Sequence, residues 1–183
     1  MTKDINEHAF TSRNQVYEFH VLDNGEQPPG PHGKSLLKYW TEKRGTRAYP
    51  IWDDIELMDM FAIADSVIVK DVIDGGRDFL NRYWGSGMTR STGFDGTGKL
   101  HTDLYASQPD GPQFETYLAA INNGAPVAVH RDSSFIAGRD YVTYDALHVP
   151  IGDAERGEIT HLITAHDFVM RKRQSTLGPL GKV

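Results

Sequence analysis

Eight histidines in a chain without cysteine are the side chains best suited to proton transfer or metal ligation near neutral pH. Three of them stand close to carboxylates, in His101-Thr102-Asp103, His130-Arg131-Asp132 and His166-Asp167. A metal needs its ligands on one face at short spacing. On strands, His130 and Asp132 share a face, whereas His161 and His166, five apart, point to opposite faces. No H-E-x-x-H pattern occurs, so no metal site is predicted and the histidines read as solvated or hydrogen-bonded strand residues. Ser133-Ser134 beside Asp132 and His130 comes nearest to a hydrolytic set. Adjacent strand residues splay apart, and no G-x-S-x-G elbow presents the serine.

Gly93-Phe94-Asp95-Gly96-Thr97-Gly98-Lys99 has the G-x-x-x-x-G-K spacing of a phosphate-cradling loop. Leu100 stands where that chemistry needs a Ser or Thr hydroxyl for magnesium, and no strong buried strand leads in. The stretch is read as a flexible loop between short helices. No G-x-G-x-x-G is present, so a dinucleotide fingerprint is lacking. The absence of cysteine removes disulfide frameworks, thiolate zinc sites, iron–sulfur clusters and thiol nucleophiles together.

These side chains must be held by a single core. The chain has 183 residues, 39% hydrophobic and 24% charged, which is ordinary globular usage with room for one domain and its extensions. A net charge of −6 opposes unspecific phosphate binding, so no nucleic-acid partner is predicted. Arg171-Lys172-Arg173 is too short a basic cluster to change that and reads as a solvated tail. Apolar runs such as Val67-Ile68-Val69 fall far below the roughly 20 residues of a bilayer helix. Met1-Thr2-Lys3-Asp4 leads into polar residues, so no membrane association and a cytoplasmic location are expected.

Periodicity places the elements. Gln27-Pro28-Pro29-Gly30-Pro31-His32-Gly33 reads as a linker that closes an irregular N-terminal extension. Ser35 is expected to cap a helix through Leu36, Leu37, Tyr39 and Trp40 that ends near Gly45. β-Branched residues over Ser66 to Ile73, the turn Asp74-Gly75-Gly76 and Asp78 to Trp84 predict a hairpin. Residues 88–108 predict short turns and loops. Pro112 opens a helix with Phe114, Tyr117, Leu118 and Ile121 on one face, and Asn123-Gly124 closes it. Three strands follow, Ala125 to Phe135, Tyr141 to Ile151 and Ile159 to Val169, with a hairpin around Ala137-Gly138. Strands gathered into a hairpin and a meander favour an α+β fold with an antiparallel sheet over a βαβ series.

That order resembles the PAS fold, five antiparallel strands with helices between the second and third that cover one face and enclose a pocket. More narrowly it is similar to the small stand-alone PAS-like proteins of alphaproteobacteria, PAS family 5. The matching residues are Leu36-Leu37-Lys38-Tyr39-Trp40, Arg44-Gly45, Pro50, Asp54-Ile55, Val67 to Val72, Phe79, Arg82, Gly85-Ser86, Gly93 to Lys99 and Tyr144 to Ile151. Tyr83-Trp84 departs from the smaller aliphatic residues usual there. The resemblance implies an extension over 1–33, a PAS-like domain over 34–170 with five strands, helices on one face and an N-terminal helix, and a tail over 171–183. Haem-binding PAS domains commonly use a histidine of the long helix, and Pro112 to Asn123 has none, so haem is not expected; His101 is the nearest axial candidate. Cysteine-linked flavin and chromophores are excluded, and no other cofactor is named.

Aromatic and polar residues cluster where a PAS pocket would lie. Asn81, Arg82, Tyr83, Phe114, Tyr117, Ile121, Tyr144, His148 and His161 are the candidate pocket residues. The expected function is a sensory or regulatory domain that binds a small molecule or a signalling partner protein and does no chemistry of its own. A homodimer through the N-terminal helix or the sheet accompanies it. Two other classes compete: a hydrolase or isomerase that uses His and Asp residues such as His101 and His161, and a ligand-free adaptor whose cavity Trp84 fills.

Overall fold

Val67 to Trp84 folds back on itself because Asp74, Gly75 and Gly76 all take positive φ, at 46°, 69° and 104°, a reversal that glycine tolerates best. The strands on either side are β3 (Val67–Ile73) and β4 (Asp78–Trp84). A computed structural model describes residues 8–9, 17–106, 109–132, 142–153 and 156–170. The expected hairpin at Ala137-Gly138, the Ser133-Ser134 pair and the tail with Arg171-Lys172-Arg173 lie outside the described residues.

The remaining strands are β1 (His8–Ala9), β2 (Tyr17–Val21), β5 (Val127–Arg131), β6 (Val142–Gly152) and β7 (Ile159–Met170). All pair antiparallel in the order β1-β2-β5-β6-β7-β3-β4. A hairpin, a helical segment and a meander in one antiparallel sheet make the fold PAS-like. The sheet has seven strands and not five, because part of the expected N-terminal extension joins it: β2 pairs with β5 from Tyr17 opposite Arg131 to Val21 opposite Val127. Tyr17 and Phe19 are buried there, so apolar burial recruits the segment.

Helices cover both faces, where one had been expected. Four consecutive buried residues, Val67 to Lys70, give β3 no solvent side, and a strand of that kind needs cover above and below. Helix α1 (Pro31–Arg44) and two 3-10 stretches, Trp52–Asp54 and Leu57–Ser66, lie on the first face. There Leu36, Tyr39 and Trp40 pack on Val69, Leu147, Val149 and Ile163. Helices α2 (Ser86–Thr92), α3 (His101–Leu104) and α4 (Pro112–Asn123) lie on the second, where Tyr117 and Ala120 pack on Phe79, Val129 and Leu162.

Helix α1 starts at Pro31 and not after Ser35. Proline suits the first helical turn, and the cap comes from far along the chain: the Asp167 carboxylate accepts from the N–H groups of His32 and Gly33 at 3.1 Å. The loop Gly93 to Lys99 is not free either. Gly98 N–H donates to Asn81 O and Asn81 N–H to Lys99 O, so the loop covers the outer edge of β4. No helix among the described residues is long and apolar enough to cross a membrane.

Candidate functional site

The second face of the sheet carries polar groups where a core would ordinarily be apolar. Alternation along β3 puts Ile68, Lys70 and Val72 on this face, and the ladder sets Lys70 beside Asn81 and Ile68 beside Thr164. Thr164 in turn lies opposite His148. Lys70 and Asn81 are 1% and 0% exposed, and Lys70 Nζ donates to Asn81 Oδ1 at 2.5 Å. The Asn81 amide is fixed by its own bond to Lys99 O at 3.0 Å. Above Lys70 the Tyr117 ring of α4 lies 4.9 Å from Nζ, a cation–π geometry whenever the amine is charged.

Beside this pair His148 bridges two hydroxyls, Thr116 Oγ1 on α4 at 3.1 Å and Thr164 Oγ1 on β7 at 3.0 Å. His101, at the start of α3, packs against Tyr105, Phe114 and Tyr117. His166 stacks on Phe168. Each of these three imidazoles is buried, and Nδ1 of His101 and of His166 has no hydrogen-bond partner among the described residues. Tyr17 and Tyr144 complete the face toward β2, with Tyr144 against His166 and Phe168.

Burial sets the charge state. It pulls the Lys70 amine down to about 7, with Asp78 acting weakly the other way. It also drives His101 to about 4 and His166 to about 3, and the nearby Lys70 charge adds to both shifts. His148 falls well below its ordinary value through burial and then through His166 and Lys70. The same burial raises the phenols of Tyr17, Tyr117 and Tyr144. Near neutral pH the face thus holds neutral imidazoles and phenols around one amine poised between its two forms.

Of the residues expected at a pocket, Asn81, Phe114, Tyr117, Ile121, Tyr144 and His148 come together on this face, and His101 joins them. Arg82, Tyr83 and His161 do not. A bulge in the β3–β4 ladder puts Tyr83 opposite Val69 and Asn81 opposite Lys70, with Arg82 the extra residue, so Tyr83 turns to the first face. Its hydroxyl donates to Ala64 O at 2.9 Å. Arg82 forks onto Asp71 at 2.7 and 2.9 Å. His161 stacks on Trp52, ring centroids 3.8 Å apart. Trp84 does face the second side, packed on Met88 and Phe94.

Lys70, Thr116, Thr164 and His166 lie on the same face and were not among the expected residues. Lys70 had a readable signal, a lone cation between apolar neighbours at i−2 and i+2 in a β-branched run. The threonines had none. Elsewhere, His130 Nδ1 meets Asp145 at 2.6 Å and Nε2 meets Asp132 at 3.1 Å, and these bonds outweigh partial burial to raise its pKa. Among the described residues no group of three His, Asp or Glu stands close enough to hold a metal.

No protein-family model matches the chain, and no curated protein does. A solved structure described as "Structure of an RNA-binding Light-Oxygen-Voltage Receptor" matches with a TM-score of 0.49 at 16% identity. The match covers 90% of this chain and 40% of that one, so this chain spans less than half of that protein's length. A likeness of that degree carries no argument about what this chain binds.

Proposed function

We propose that the chain is a PAS-type sensory or regulatory domain whose ligand, or the segment of a partner protein, is received on the second face of the sheet, beneath α4. The observation that carries this is the Lys70–Asn81 pair, buried among His101, His148 and His166. A core selected for stability alone gains nothing from a buried amine, since well-packed apolar residues in its place are commonly neutral or stabilising. Perturbed ionisable groups gathered in one place are a mark of binding sites. Asn81, Tyr117 and His148 supply directed donors and acceptors, and Phe79 and Phe114 supply the apolar walls. Binding there would shift α4 against the sheet and so change the population of two conformers.

This reading keeps residues 34–170 as the functional unit, with strand β2 docked on it, and involves no catalysis by the domain itself. It includes self-association and a signalling partner. Leu36, Tyr39 and Trp40 are used on the chain's own sheet, so a dimer would form through other surfaces. The net charge of −6 supports the absence of a nucleic-acid partner.

A second reading has its own observation. The rings of Phe79, Phe114 and Tyr117 pack at 5.0–5.2 Å, which suits an adaptor that takes no small ligand. Native mass spectrometry of the purified chain separates the two. A copurified small mass that disappears in Lys70→Met supports the sensor, and its repeated absence from preparations of both proteins favours the adaptor.

A further inference from the structure

On the other side of the molecule, Lys34, Leu37, Lys38, Thr41 and Arg44 fall at spacings of three, one, three and three along α1 and so form one stripe. It flanks the buried side of Leu36, Tyr39 and Trp40, with Arg44 one turn beyond Trp40 and lying on its ring. The stripe borders an open groove of 860 Å³, whose far wall is the segment after β2 and whose end is the turn between α4 and β5. That volume lies in the range of small-molecule sites. Leu22, Leu37, Trp40 and Pro126 supply its apolar surface. Trp40 is fixed in place, because its indole N–H donates to Pro150 O at 2.8 Å.

Charge in the groove is unevenly satisfied. Lys38 sits 3.9 Å from Glu42, both well exposed, an arrangement worth little. Asp23 is the other acid on the wall. Arg44 is different: its guanidinium lies over the Trp40 ring at 5.0 Å, and its Nε is buried without a hydrogen-bond partner among the described residues. An arginine stacked on an indole keeps its planar donor edge free for a carboxylate fork. Arg44 also lines the groove, so a carboxylate bound there lies within reach of its guanidinium. The apolar side chain of Leu37 lies two helical turns, or ~10 Å, toward the N-terminus.

We infer that this groove is a second ligand site, separate from the buried face, for a small monocarboxylate with an apolar body. The carboxylate sits on Arg44, the body lies over Leu37, Leu22 and Pro126, and Lys34 and Lys38 add a favourable field. Charge complementarity chooses the occupant: three cations and two acids line a groove on a chain of net charge −6.

Isothermal titration with 4-phenylbutyrate tests this, with 4-phenylbutylamine as the probe of opposite charge. Saturable binding of the carboxylate and none of the amine is expected. Arg44→Gln should weaken binding at least about tenfold, as loss of a charge-assisted fork implies, and Arg44→Lys, which keeps the charge, should fall between. Equal affinity for acid and amine, no binding of the acid at millimolar concentration, or unchanged affinity in folded Arg44→Gln would overturn the assignment. Lys70→Met leaves this titration unchanged if the groove is separate from the buried face; a parallel loss would also overturn it.

Discussion

Lys70 Nζ and Asn81 Oδ1 meet at 2.5 Å across the β3–β4 ladder, and both side chains are closed off from water. Burial of the amine makes the core sensitive to pH from the alkaline side. The lysine titrates near 7 in the folded chain and near 10.4 when unfolded, so between those values the unfolded chain binds the extra proton. Stability contributed by this group is therefore lowest below about pH 7 and rises toward pH 10, by up to about 1.4 kcal/mol per pH unit. Lys70→Met should lose that slope. Urea denaturation at several pH values from 7 to 9.5 measures it, and parallel slopes in the two proteins would refute the buried-amine account.

The histidines act in the acid range. His101 and His166 are held at about 4 and 3 in the fold against about 6.5 unfolded. The stability they contribute is present in full above pH 6.5 and is lost as pH falls toward those folded values. Each steepens the acid limb by up to about 1.4 kcal/mol per pH unit. His166→Gln, at the imidazole whose Nδ1 has no partner among the described residues, should make the limb between pH 6 and 4 shallower by about one proton. Denaturation curves across that range give the proton count directly.

Helix α1 depends on a residue more than 130 positions away. Asp167 accepts from the backbone of His32 and Gly33, and Gly30 enters the helix at φ 78°, ψ 151°, a region that is nearly closed to other residues. A Cβ on Gly30 would lie 2.2 Å from Asp167 Oδ2. Asp167→Ala should cost about 1–3 kcal/mol through the two uncapped N–H groups. Gly30→Ala should cost at least as much. In the double variant the contacts with Oδ2 and Cγ are gone, and the closeness to the Cβ of residue 167 at 2.9 Å, the backbone strain and the lost cap remain, so the cost should still fall short of the sum. Additive values in a thermal or chemical denaturation cycle would show that the two do not touch.

The same contact shows why part of the fold was legible and part was not. Local chemistry announced α4 to within a residue, with Pro112 at its first turn and Gly124 at its end, and β4 from Asp78 to Trp84. The start of α1 was misplaced because its cap belongs to β7. Strand β2 was left in an irregular extension because its alternation is short, and only the partner β5 completes it. On the second face, Tyr117 and His148 lie where they were expected because ring and imidazole on helix and strand stand out. Tyr83 was misassigned because one bulge reverses the alternation. Such a bulge leaves no mark in residue type.

Gly96 links the loop that resembles a phosphate cradle to the buried pair. Its ideal Cβ would come within 2.6 Å of the Trp84 ring, so the glycine lets the loop lie flat on a buried side chain. Beyond it, Gly98 and Lys99 bond to the backbone of Asn81, and Lys99 O also holds the Asn81 amide. Gly96→Val should lift the loop, expose the β4 edge and loosen the partner of Lys70, at a cost of about 1–3 kcal/mol. Gly98→Ala is the contrast: its Cβ would meet nothing within 4 Å among the described residues, and only its φ of +72° resists. Backbone strain alone then applies there, and the loop stays seated. Hydrogen exchange at the Asn81 amide reads the difference, with faster exchange expected in Gly96→Val and little change in Gly98→Ala. Equal protection in both variants would mean that the loop does not rest on Trp84.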